Sequence, residues 1–491
     1  MKNKLGWALA GATVPVIWML SAAAAQVATK LPTDPRMAKI VQVIDPARIQ
    51  QEDTKLVSFG SRLATAEGKS TATRGPERAR EWIVQQFQQI SDANGGRLQV
   101  KTESFDLPVG NRIPAAQTMT NVVAILPGTD PNDKRIFLVG GHYDSIPGDF
   151  SQDAPGANDD ASGTIVSLEC ARALVPYQFP ATIEFFAYEG EEEGLYGSKH
   201  AAEAAKAAGL NVAGVLNDDI VGGDQSPGND NTDRVRAYGQ GLSPLLTPEQ
   251  IKQQLADGFE NDSPSRELIR YVKSVADRYV PNFHVVLEYR VDRFRRGSDH
   301  EAWLTAGFPY AMTFREWMEN SNHQHVAVRT GPDGTEYGDI QKWVNFNYIA
   351  QVARVNAVTL ASLASSPAIP ERVTFQAGQQ IGDRITWTPV AGAASYELLY
   401  RGTADSQWSE RPIVGQPAAP PAGRGGEPAP ATPLTSMLEV TIPESGDTYI
   451  LAVAAVDAQG HESLPRIATV SAAGRGRGGA GASGAARGGA R

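Results

Sequence analysis

Four carboxylates, Glu189, Glu191, Glu192 and Glu193, fall within five positions of the stretch FFAYEGEEEGLYGSKH, directly after the apolar run 182–187. Like charges at this spacing repel, and burial raises carboxylate pKa values further. Either the run is a solvated turn, or a bound cation makes the clustering favourable. Other metal-ligand residue types stand at the ends of apolar runs. FLVGGHYDS ends in His142 and Asp144, PGANDDASG supplies Asp159 and Asp160, VLNDDIVG supplies Asp218 and Asp219, and NSNHQH supplies His323 and His325. Singly these pieces are weak, because a lone HxD is usually a satisfied pair and a lone NDD a turn. Their order is informative. In an open α/β sheet, ligands bind beyond the carboxyl ends of the strands, so these distant segments are expected to meet at one edge.

The chemistry follows from the residue types. Two imidazoles and several carboxylates form a set that zinc accepts. One bridging Asp, with one His and one carboxylate for each ion, builds a two-metal site whose open positions hold a water of lowered pKa. One glutamate must stay unligated to take that water's proton. An adjacent Glu-Glu pair supplies one base and one ligand.

The elements that must position these residues are readable in part. Helical stretches are predicted at PARIQQEDTKLVSFGSRL and RGPERAREWIVQQFQQI, the second with Trp82, Ile83, Phe87 and Ile90 on one face and Pro76 in its first turn. Strand-like runs follow at LQVKTESF, NVVAIL and RIFLVGGHYDS. A helix is then expected near Ser162, a strand at ATIEFFA, a helix at SKHAAEAAKAAG and a strand at VAGVLNDDI. The stretch 222–246, rich in Gly, Asp, Asn and Ser, reads as a loop excursion. FPYAMTF is a further strand, and FNYIAQVARVNAVTLASLA a closing helix. This alternation predicts an α/β domain: a mixed, mostly parallel sheet with helices on both faces.

Beyond the linker SSPAIP, the segments ERVTFQAGQQIGDRITWTPV, SYELLYR, LEVTIPE and DTYILAVAAVDAQGHES alternate with period two and predict a small all-β sandwich. Trp387 and Tyr449 are its predicted core aromatics; with AVDAQGHES they resemble a fibronectin type III module. An insert near 416–433 is too rich in Pro, Gly and Ala to pack, and 474–491 reads as a disordered Gly/Arg tail. At the other end, MKNK, an apolar stretch and SAAAAQ form the three parts of a secretory signal peptide over 1–25, with cleavage expected after Ala25. The expected organisation is therefore 1–25 signal, 26–366 catalytic domain, 367–473 sandwich and 474–491 tail. The segment 26–49 is either a short leader or part of the domain. The expected location is the periplasm or the exterior, with no membrane span in the mature chain. A net charge of -10 argues against a general nucleic-acid partner. The single cysteine, Cys170, excludes an intramolecular disulfide and reads as a packing residue.

The ordered set GGHYDS, GANDDASG, EGEEEGLYGS, LNDDIVG, SDHEAW and HQH resembles the M28 family of co-catalytic zinc aminopeptidases, over roughly 53–364. The resemblance implies two Zn2+ ions per chain and peptide substrates. It implies His142, Glu192, Asp219 and His325 as metal ligands, with Asp159 bridging both ions and a cis peptide between Asp159 and Asp160. His323 lies two residues from His325 and is the rival for the last ligand. Glu191 is the implied general base, and Glu193 falls at a variable position expected to be solvated. Asp144 is expected to orient His142 through its other ring nitrogen. Asp299 and His300 are expected to order their loop.

The chain departs from the pattern in one place. Where some relatives carry a Tyr for the oxyanion, YRVDRFRRGSDH offers Arg295 and Arg296, with Tyr289 further upstream. A guanidinium could stabilise a tetrahedral oxyanion, pair with the acidic rim, or grip a substrate carboxylate. The last role defines a rival reading, a carboxypeptidase of the same fold. A glutaminyl cyclase-like enzyme with one zinc and a non-catalytic binding protein are two more. The sandwich is expected to position the enzyme or to contact a surface or polymer. No GxSxG elbow is present, so no covalent intermediate is expected.

Overall fold

The computed structural model describes residues 33–66, 68, 70–146, 153–229, 232–376, 382–413, 416–417 and 437–471. The predicted signal segment and Gly/Arg tail, and all of the predicted insert but 416–417, lie outside the described residues. An eight-stranded sheet forms the centre. Its strands are β1 (Gln99–Leu107), β2 (Gln117–Leu126), β3 (Arg135–His142), β4 (Thr182–Tyr188), β5 (Asn211–Asp218), β6 (Arg234–Gly239), β7 (His284–Glu288) and β8 (Ala311–Glu316), in the order β1-β2-β4-β3-β5-β8-β6-β7. The pairs β3–β4, β3–β5, β5–β8 and β6–β7 are parallel; β1–β2, β2–β4 and β6–β8 are antiparallel.

Ten helices surround the sheet among the described residues: α1 (Pro35–Val43), α2 (Pro46–Ser58), α3 (Pro76–Ala93), α4 (Ala161–Leu174), α5 (Glu191–Gly194), α6 (Tyr196–Ala207), α7 (Pro248–Asp257), α8 (Pro264–Tyr279), α9 (His300–Ala306) and α10 (Phe346–Ser365). Four of them start with the same local chemistry. Asp34, Asp45, Thr247 and Ser263 each accept a hydrogen bond from an amide of the first turn, and a proline follows at the first helical position.

Strand alternation sorts the core onto two faces. Phe137, Val139 and Phe185 pack with α4 and α10, whereas Leu138 and Phe186 pack with α6 and α9 around Trp303. Met37 and Ile40 of α1 are fully buried in the larger cluster, so 33–49 belongs to the domain. The loop expected over 222–246 is corrected, because it contains β6. The alternation in RVRAYG buries Val235 and Ala237 while Arg234 and Arg236 stay half-exposed.

The C-terminal residues form two small, mainly antiparallel sheets. Trp387 is fully buried between them; Tyr449 is only half-buried, edge-on to Tyr400. Among the described residues no helix is long and apolar enough to cross a membrane. Cys170 is buried and free.

Candidate metal centre

The strands that carry the acids and imidazoles are neighbours. Along β4-β3-β5-β8 every adjacent pair is parallel, so four carboxyl ends open on one edge. β3 ends in His142, and β5 is followed by Asp219. Asp159 and Asp160 precede α4, where Asp160 caps the helix by accepting from the Gly163 amide at 2.9 Å. β4 runs into Gly190, whose φ of 82° turns the chain sharply into α5. A side chain at Gly190 would meet the Met119 sulfur at 2.6 Å, so only glycine suits this turn.

Ligand atoms of His142, Glu191 and Asp219 lie within 4.8 Å of one another, and so do those of Asp159, Glu192 and His325. Asp159 joins the two groups. Its Oδ1 is 3.3 Å from His142 Nε2, and its Oδ2 is 2.8 Å from His325 Nε2. His325 Nε2 also lies 3.0 Å from Glu192 Oε1. All six residues are therefore brought together. His142 Nε2 and Glu192 Oε1 are buried without a hydrogen bond among the described residues.

Buried like charges dominate the electrostatics of the centre. Burial, then the like charges of Asp219 and Glu192, push Glu191 well above the usual carboxylate range. Burial and Asp159 push Glu192 up to about 7. Burial opposes the charge on His325, yet Glu192 and Asp159 outweigh it and raise it to about 11. Divalent ions would take the place of these shared protons, since carboxylate and neutral imidazole are the forms that bind metal. The donor set, its orphaned buried atoms and its two-sided Asp159 fit zinc.

The surroundings separate the remaining candidates. Asp218 Oδ1 accepts from Asn356 at 2.9 Å on the helix side of the sheet end, which leaves Asp219 in the cleft. His323 is buried, stacked on Trp343 at 4.1 Å, with Nδ1 2.5 Å from Asp224 Oδ2. It is held away from the ligand group that contains His325. The peptide between Asp159 and Asp160 is cis. His300 Nε2 faces the Val291 carbonyl at 2.9 Å, and burial pushes its pKa down to about 4.

Three expectations need correction. Glu193 is not solvated: it is 2% exposed, and burial together with Asp144 and Glu192 raises it to about 9. His142 Nδ1 meets the main-chain oxygen of Asp144 at 3.1 Å, while the Asp144 carboxylate is 3.5 Å away. That carboxylate instead accepts from the amides of Glu191 at 3.3 Å and Glu192 at 3.1 Å, fixing the start of α5. The paired arginines also divide. Arg296 lines the cleft and donates to Glu319 at 2.9 Å, whereas Arg295, in a turn with φ 55°, is not among the cleft-lining residues. Tyr289 lies elsewhere, donating to the Ser406 carbonyl at 2.8 Å.

Sequence reasoning missed three residues that build the centre. Asp339 accepts from the amides of Asn158 at 2.7 Å and Asp159 at 2.6 Å. Arg62, fully buried, donates to the carbonyls of Tyr143 at 2.6 Å and Gly156 at 2.9 Å. Arg315, also fully buried, forms an ion pair with the Asp219 carboxylate. No motif marks them; Arg315 alone had a local signal, standing with Glu316 as two charges directly after the run AMTF of β8.

Two cavities meet at the centre and share Arg112, Glu192 and His325. One, of about 830 Å³, is walled by Leu63, Ala66, Ile113, Pro114 and Ile146. The other, of about 330 Å³, is polar and includes Glu191, Asp219, Arg293, Arg296 and Glu301.

A parallel sheet edge bearing this donor set defines a metal-dependent hydrolase class, and the relatives narrow it. Residues 121–327 match the model of Peptidase family M28. A probable zinc metalloprotease of Pyrenophora teres f. teres is 41% identical over 397 residues, covering 78% of this chain and 81% of its own. One from Pyricularia oryzae is 40% identical over 77% of each chain. The chain belongs to peptidase family M28 and is a zinc metallopeptidase. Among solved structures, the LapA aminopeptidase of Legionella pneumophila is similar with a TM-score of 0.49 and 20% identity, over 68% of this chain and 76% of that one. Family membership rests on the sequence relatives alone.

Proposed function

We propose that this zinc metallopeptidase is an exported aminopeptidase that holds two zinc ions per chain. The observation that carries the reading is Asp159, which turns one carboxylate oxygen to each of the two imidazoles. His142 and Asp219 would hold one ion, and Glu192 and His325 the other, with Asp159 shared. Bound there, the ions supply Lewis-acid polarisation of the scissile carbonyl and a water of lowered pKa.

The protein's own groups do the rest. Glu191 lies 3.9 Å from His142 Nε2 and faces the polar cavity. Its carboxylate takes the proton of the attacking water and returns it to the leaving amine nitrogen. Asp144 pins the amides of Glu191 and Glu192, so base and ligand keep a fixed offset. Asp339 fixes the backbone of Asp159 in the same way. Arg296, on the cleft wall, is engaged by Glu319.

The cleft favours release of amino-terminal residues over carboxy-terminal ones. A substrate carboxylate would have to draw Arg296 and Arg293 from Glu319, to which both are paired. A free amine meets Glu301 on the cleft wall without such competition. Export rests on the three-part pattern of 1–25.

The test is a panel of dipeptides and of peptides blocked at either end, assayed with chelation and zinc add-back. Turnover that needs a free amino terminus and returns at two zinc ions per chain is expected. Hydrolysis only of amino-blocked peptides would move the assignment to a carboxypeptidase, and full activity at one ion would remove the two-ion reading.

A further inference from the structure

Only one half of the centre has a buried guanidinium against a ligand carboxylate among the described residues. Arg315 is fully buried beneath Asp219. Its Nη1 forms an ion pair with Asp219 Oδ1 and also donates to the Asp219 main-chain oxygen at 3.0 Å. Its Nη2 donates to Asp292 Oδ2 at 2.8 Å and to the Gly297 carbonyl at 3.0 Å. Ser298 Oγ donates to the other Asp219 oxygen at 2.5 Å. The half formed by Asp159, Glu192 and His325 has no counterpart. Among the described residues no Arg or Lys pairs with the carboxylates of Asp159 or Glu192, and Arg112 reaches only the Glu192 main-chain oxygen.

A guanidinium in contact with a ligand carboxylate cancels much of the charge that would hold a cation, and burial keeps solvent from screening it. Asp292 offsets part of this, because it shares the same guanidinium from the far side and is itself only 2% exposed. We propose that Arg315 is a positioning residue that makes the two halves unequal: the Asp159–Glu192–His325 half fills first, and the His142–Asp219 half fills second and more weakly, with Asp292 setting how much weaker. This rests on the two-zinc reading above. It makes the second ion the exchangeable one and couples activity to the free zinc concentration.

The opposed signs of two substitutions test it. Metal-free protein is titrated with Zn2+ in a calorimeter, and again with Co2+ followed by its absorption spectrum. The wild type is expected to take up two ions in two resolved steps. Arg315→Met should tighten the second step by roughly tenfold and Asp292→Asn should weaken it by roughly tenfold, the scale on which groups hydrogen-bonded to metal ligands act. The first step should stay within about twofold in both variants, well under the roughly tenfold scale of such groups. A purely structural role for Arg315 predicts weakening in both variants, and that result overturns the proposal. So do two ions bound with one affinity in the wild type. If Arg315→Met fails to fold, Arg315→Lys and Asp292→Asn decide the matter. Lys keeps the charge and should leave the second step near the wild-type value, so tightening in Arg315→Lys, or no weakening in Asp292→Asn, overturns the assignment. Absence of any metal uptake would instead sink the two-zinc reading itself.

Discussion

Two regions of this molecule bury many charges, and they do so in opposite ways. Where the C-terminal sheets pack on α8, acids meet guanidinium groups. Arg401 pairs with Asp262; Arg270 pairs with Glu267 and, at 3.3 Å, with Asp262. Trp408 donates to Glu267 at 2.9 Å, and Arg266 and Arg270 both lie 5.0 Å from the Tyr289 ring centre. At the sheet edge, acids face acids and imidazoles, and buried polar atoms are left without partners. Burial of charge therefore does not by itself mark a site. A set whose opposite charges are paired holds two units together, whereas an unsatisfied set of like charges waits for a cation.

The contrast is sharpest at Glu191, where a change should abolish chemistry and leave structure alone. Glu191→Gln is expected to lower kcat by about 10²- to 10⁴-fold, the usual contribution of a positioned base. Metal content, measured by elemental analysis, should stay at the wild-type level. Loss of metal in step with activity would make Glu191 a ligand and return the base to an open question. Chelation gives the next effect. Removing the ions leaves the acids of the centre facing one another, so the melting temperature should fall and recover with zinc. At a free zinc level 1,000 times the dissociation constant the difference amounts to about 4 kcal/mol. A melting curve unmoved by chelator would mean that the acid cluster is not the unsatisfied set described above.

The same contrast explains what could be read from the sequence. His142, Glu192 and Asp219 stand at or just past the ends of apolar strands, so there the strand signal and the chemical signal coincide, and the edge of β4-β3-β5-β8 was legible. The helix–strand alternation from 161 to 220 was legible for the same reason. Residues that act through others were not. Asp339 is 180 positions from the Asp159 amide it accepts from, and Arg62 is 94 from the Gly156 carbonyl it donates to. Their roles exist only after folding. Glu193 misled because a third acid beside a turn normally faces water, whereas here α5 rolls it inward. Strand β6 was hidden by the polar residues around it. Helix α8 carried a readable pattern, with Ser263 as cap, Pro264 at the first position and Leu268, Ile269, Val272, Val275 and Ala276 on one face, and it went unread. Tyr289 and Trp408 show the limit plainly, since nothing in either local stretch announces that they meet through α8.

At the packed interface the expected effects fall on stability, not turnover. Arg401→Ala leaves Asp262 with one guanidinium where it had two, and should cost about 3 kcal/mol. Thermal melting would record this, while kcat of the folded enzyme should hold. A fall in kcat with unchanged melting would mean that the C-terminal sheets help shape the cleft.

The smallest effect probes a place where the interface resembles the centre. Glu397 lies on the strand Ser395–Gly402 near Glu410 and Glu462, and one of its carboxylate oxygens is buried without a hydrogen bond. Burial, then Glu410, raises Glu397 from 4.5 to about 7. A carboxyl whose folded pKa exceeds its unfolded value binds its proton more tightly when folded. Its stabilising contribution is therefore complete below pH 4.5 and is lost as pH rises through about 7. One pKa unit corresponds to about 1.4 kcal/mol, and partial solvent access screens the whole shift to about 1 kcal/mol. Glu397→Gln cannot ionise, so it should melt above the wild type at a pH above about 8 and together with it below about 4.5, outside both ends of the shifted range. If Gln instead lowers the melting temperature equally at both values, Glu397 belongs with the paired acids of α8, and the interface carries no surplus charge.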